Sequence, residues 1–85
     1  MTELRPIGKV IHYWTRLGVA GVELTDSLKM DDWVHFLGAT TDFQQRVTSM
    51  QLNKRFTHEA HAGQQIGILV ADRVRPGDEV YLLED

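Results

Sequence analysis

Short runs rich in β-branched and aromatic residues, separated by Gly, Pro and Asp, fill most of this 85-residue chain. Val19 to Leu24 alternates, with Ala20, Val22 and Leu24 on one face and Glu23 on the other. Trp33 to Leu37 sets Val34 and Phe36 on one face and Trp33 and His35 on the opposite one. Ile66, Ile68 and Val70 alternate around Gly67, and Val80 with Leu82 marks a last strand over Glu79 to Leu83. Lys9 to Trp14 is β-rich without clean alternation, so its faces stay unassigned. Phe43 to Asn53 is the longest run. Val47 lies there on the opposite parity from Met50 and Leu52, a conflict that a β-bulge near Thr48-Ser49 would resolve. Ser27 to Asp32 carries a loosely helical spacing broken by Asp31-Asp32, and reads as a structured loop with at most one helical turn.

Many short strands with regular turn signals indicate an all-β sandwich or barrel. The expectation is a small, closed or partly open antiparallel β-barrel of six to seven strands, with residues 1–85 forming a single domain. A chain of this size buries only about 60–65% of its unfolded surface, so the core must be efficient.

Composition narrows the chemistry more than it names it. The chain has no cysteine, which removes disulfides, thiolate metal sites and a thiol nucleophile. Its 9 Lys and Arg against 12 Asp and Glu give a net charge of −3, so nucleic-acid contact would need a local patch. The first residues, Met1 to Pro6, show no apolar leader, and no run is long and apolar enough to span a bilayer. Cytoplasmic residence without membrane attachment is the expectation.

His58-Glu59-Ala60-His61 suggests a metal site, but the two histidines are three residues apart, where a zinc-binding helix needs four and a strand would put them on opposite faces. We therefore expect no metal and no cofactor. Asp31-Asp32, Asp26, Asp72 and Asp78 fit turns better than acid–base chemistry. Ser27 and Ser49 have no adjacent histidine with an orienting acid, so no catalytic residue is assigned. Arg46, Lys54 and Arg55 lie on or after the long strand, and Arg73 and Arg75 lie near the closing turn. Barrel closure could gather these five into a phosphate-binding face. Trp14 and Trp33 suit core filling and surface contact equally.

The order of motifs resembles the barrel that follows the GTPase domain in elongation factor Tu and its relatives. Gly8-Lys9-Val10 is similar to the Gly-x-Val that opens that barrel, and Leu28 to Gly38 to its turn before a strand. Thr48 to Leu52 resembles the lead into the long central strand. Ala60 to Ile68 and Val74 to Val80 resemble its two later Gly-containing turns. Asp31 stands where that family usually has glycine, and no phosphate loop is present, so the resemblance implies neither nucleotide binding nor GTP hydrolysis. A similar barrel occurs as a stand-alone elongation-factor-like protein and at the C-terminus of collagenase-type peptidases, and Tyr13 with Ser49-Met50-Gln51 points toward that branch.

The resemblance implies a non-catalytic translation-type module contacting RNA or the ribosome through Arg46, Lys54, Arg55, Arg73 and Arg75, with Trp33 as a further contact. The alternative is a protein–protein accessory domain serving a peptidase-type enzyme, with Trp14, Trp33 and His35 forming an apolar patch.

Overall fold

A computed structural model describes residues 3–84 and contains ten strands and, among the described residues, no helix. The strands are β1 (Glu3–Trp14), β2 (Val19–Leu24), β3 (Leu28–Lys29), β4 (Trp33–Leu37), β5 (Asp42–Arg46), β6 (Met50–Leu52), β7 (Arg55–Phe56), β8 (Glu59–Ala60), β9 (Gln65–Leu69) and β10 (Glu79–Glu84). Eight of them form one sheet in the order β5-β4-β10-β1-β2-β9-β6-β7, and β3 pairs with β8. Every pairing is antiparallel, in keeping with the all-β expectation.

The alternating faces emerge as read. Ala20, Val22 and Leu24, Val34 and Phe36, Ile66 and Ile68, and Val80 point into one core. Burying such side chains is the dominant favourable term in folding, at about 25 cal/mol per Å² of apolar surface. Phe36 sits at the centre of this core, stacked on Phe43 with ring centroids 5.2 Å apart.

The irregular parity of the first run has a cause in the ladders. β1 skips Ile7 in its pairing with β10 and Ile11 in its pairing with β2. Each extra residue shifts the pleat by one. Ile7 and Val10 are thus both buried, while His12 and Trp14 turn outward beyond the second bulge.

Two local expectations are corrected. No bulge forms at Thr48-Ser49; the long run breaks there and the chain crosses from β5 to β6. Val47 exchanges backbone hydrogen bonds with Asp31 and Asp32, whereas the Ser49 carbonyl accepts the Leu69 N–H at 3.2 Å. Val47 and Met50 are both buried because Val47 bonds the Asp31-Asp32 turn while Met50 pairs with β9, so no single pleat links them. Leu28–Lys29 is a strand and not a helical turn, since it pairs with the distant Glu59–Ala60, Leu28 opposite Ala60 and Lys29 opposite Glu59. The turn after it keeps a left-handed residue, Asp31 at φ 72°, a conformation Asp tolerates better than most side chains.

The strand pairing runs from β5 to β7 without returning, so the main sheet has two free edges. Gln45 of edge strand β5 nevertheless spans the gap to the end of β9. Its Nε2 donates to the Leu69 carbonyl at 2.8 Å, and its Oε1 accepts the Ala71 N–H at 2.6 Å. One buried amide side chain acts as the rung that the backbone does not supply.

Candidate functional site

The five cations singled out in the sequence are all exposed, but the surface grooves distribute them. Arg46 lines a groove with Trp33, Leu69 and Ala71. Arg73 and Arg75 line another with Asp42 and Asp72. Lys54 belongs to a third, on the far side of β2 and β9, and Arg55 lies on the short edge strand β7. Their proximity in sequence does not carry into one shared groove, because Arg46 ends β5 at one edge of the sheet and Lys54 lies in the turn between β6 and β7 at the other.

Four of the carboxylates serve the backbone. The N–H groups of Ser27, Lys29, Arg73 and Arg75 donate to Asp26, Asp32, Asp72 and Asp78 at 2.7–2.9 Å. Each is a side chain closing its own turn. Ser27 has no histidine beside it in sequence, but folding brings His61, 34 residues away, to 3.4 Å from its Oγ. The contact is long and exposed, and the nearby Asp26 carboxylate is engaged by the Ser27 N–H and by Arg5. No acid orients His61 among the described hydrogen bonds, so the pair lacks the third member that activates a serine. His58 is also exposed, and no group of three His, Asp or Glu side chains converges as a metal site among the described residues.

His35 lies half-buried on β4, held by Asp42 at 2.6 Å on Nε2 and by Gln44 at 3.1 Å on Nδ1. Both of its ring nitrogens are taken by neighbours on β5, so it stiffens the β4–β5 pair and is not free to join an apolar patch.

The two tryptophans behave otherwise. Trp14 is 44% exposed and Trp33 is 52% exposed. Trp14 lies opposite Val19, and Val19 lies opposite Leu69, so these three form a row across β1, β2 and β9. Leu69, 45% exposed, continues into the groove of about 500 Å³ that holds Trp33 on the other bank of the Gln45 seam. On the opposite flank, Trp14, Leu17, Ile11 and Val19 line a larger groove of about 760 Å³. Its floor includes Gly21, where an added Cβ would come within 3.1 Å of the Trp14 ring; the indole lies directly over the glycine backbone. His12 packs edge-on against the same ring at 4.4 Å between centroids. The result is a continuous exposed apolar band. Pattern reading found its tryptophans but not Leu69, Leu17 or Gln45, since single exposed apolar residues and a lone Gln carry no signal in sequence.

No family model matches the chain. It is 36% identical over 80 residues to an uncharacterised protease of Methanocaldococcus jannaschii and 36% identical over 77 residues to a collagenase of Porphyromonas gingivalis. These matches take in 93% and 88% of this chain but 20% and 21% of the relatives, so the chain spans about one-fifth of the length of the curated relatives it matches. Two crystal structures of the C-terminal domain of a Geobacillus thermoleovorans protein described as a U32 peptidase share its fold, with TM-scores of 0.87 and 0.85 at 21% and 22% identity. The first covers 95% of this chain and 93% of that domain. The similarity is to peptidases. It overturns the expected translation-type module with RNA or the ribosome as partner, and it favours the accessory-domain alternative. Pieces such as a Gly-Asp turn before a strand are general barrel grammar, which is why they resembled a translation factor as readily as a peptidase segment.

Proposed function

We propose that this chain is a non-catalytic accessory barrel that associates with a peptidase-type catalytic domain. The observation that carries the reading is the 36% identity confined to one-fifth of each curated relative, which leaves the other four-fifths of those proteins to supply any chemistry. The chain's own side chains fit that division of labour: Asp26, Asp32, Asp72 and Asp78 close turns, and the Ser27–His61 contact has no orienting acid among the described residues. What the fold offers is a rigid scaffold and an exposed apolar face.

The test mixes the chain with the M. jannaschii protease from which the matching 80-residue segment has been removed. Calorimetric binding, together with a raised melting temperature of the truncated protease, is the expected result. Cleavage of a fluorogenic casein by the chain alone is expected to stay at the buffer rate. Failure to bind or to stabilise the truncated protease overturns the reading, as does peptide hydrolysis by the isolated chain.

A further inference from the structure

The apolar band and its charges specify more than a general stickiness. In the groove of Trp14, Leu17 and Ile11 the charged lining residue is Lys54, and in the groove of Trp33 and Leu69 it is Arg46. Both are cations, and among the described residues no carboxylate lines either groove, although the chain as a whole carries more acids than bases. Arg46 pairs with Asp31 at 3.7 Å, with both side chains exposed. An exposed ion pair of that length is weak and leaves the guanidinium free to take a better partner.

We propose that the band Trp14–Val19–Leu69–Trp33 is the docking face of this chain, and that its occupant is a protein surface with an apolar centre and a carboxylate-bearing rim, carried by a peptidase-type catalytic domain. The proposal rests on the accessory-barrel reading and adds the face and the chemistry of its partner. The geometry suits such a contact. The tryptophans present large rigid rings, one seated over Gly21 and backed by His12, so little side-chain freedom is lost on binding. Arg46 and Lys54 stand at the margins, where cations steer an acidic partner and set its register. A second copy of this chain is a poorer occupant, because a two-fold contact through the band would bring two cation-lined grooves together, with no carboxylate among their described lining residues.

Trp14 and Trp33 are the only tryptophans in the chain, and both lie on the band, so intrinsic fluorescence reports on this face alone. The probe is the M. jannaschii protease lacking its matching segment, rendered tryptophan-free, with circular dichroism confirming that it is folded. A chimaera in which this chain replaces the segment, in the same tryptophan-free background, gives a second measurement should the truncated protease not fold. The expected result is a shift of tryptophan emission to shorter wavelength in the complex, or in the chimaera relative to the free chain. Trp33→Ser and Leu69→Ser should each weaken binding by about tenfold or more, as buried anchors do. Leu4→Ser, an exposed apolar site off the band, should leave binding unchanged. Arg46→Glu with Lys54→Glu should slow association and remove its salt dependence. Binding with no change in emission overturns the docking face while leaving the accessory reading intact. Absence of binding in the folded probe overturns both. Concentration-dependent dimerisation with the same emission shift assigns the band to a second copy and overturns the proposed occupant.

Discussion

Gln45 reaches across the open edge of the sheet and hydrogen-bonds the backbone on both sides of Val70, taking the Leu69 carbonyl at 2.8 Å and the Ala71 N–H at 2.6 Å. Gln45 itself is 9% exposed, and its two hydrogen bonds are partly buried beside the exposed residues Leu69 and Ala71. Gln45→Ala should lower stability by roughly 1–3 kcal/mol, through the lost bridge and its partly buried backbone partners. Denaturant titration measures it. Because the seam also positions Leu69 beside Trp33, the same variant should redden the tryptophan emission of the native state; an unchanged midpoint would show that the bridge is incidental.

Gly8 lies within β1, where that strand is paired on both sides, with Val80 and with Leu24. An added Cβ there would lie 2.7 Å from the Glu23 carbonyl oxygen and 3.0 Å from a Val22 methyl. A backbone atom cannot step aside as a side chain does, so Gly8→Ala should cost about 1–3 kcal/mol. Thermal unfolding by circular dichroism measures the loss. A variant as stable as the parent would mean that the ladders relax freely at this point.

Asp31 holds a left-handed backbone conformation at φ 72° on an exposed turn. Glycine relieves that strain, but its greater freedom in the unfolded chain offsets the gain, so Asp31→Gly should stay within about 1 kcal/mol of the parent. Asp31→Val, β-branched at a positive φ, should lose roughly 1–3 kcal/mol. Comparing the two variants by urea denaturation isolates backbone strain from the weak Arg46 ion pair that both remove.

Phe36 is fully buried and stacks on Phe43. Phe36→Ala should cost about 3–5 kcal/mol through lost burial and the cavity left behind. A domain of this size has a total stability of roughly 4–13 kcal/mol, so the loss removes a large share of it and should lower the denaturation midpoint correspondingly. Amide exchange of β4 and β10 should accelerate to the global rate.

Much of the scaffold could be read from the residues. Strict alternation in β2, β4, β9 and β10 places one face of each strand in the core, because a period of two leaves no other choice for a buried sheet. The turn role of Asp26, Asp32, Asp72 and Asp78 was equally legible, since a short carboxylate beside a turn finds its own backbone first. What escaped depends on partners distant in the chain. The crossing at Val47 and Ser49 mimics a bulge until the two ladders it joins are known, and β3 exists only through β8. The site follows the same division. Sequence supplied two tryptophans and five cations with nothing to say which would meet. Pairing of Trp14 with Val19 and of Val19 with Leu69, and the Gln45 bridge that sets Leu69 beside Trp33, assembled the apolar band and left the cations in separate grooves. Local pattern dictates which face a side chain takes; only long-range strand register determines whose side chains share it.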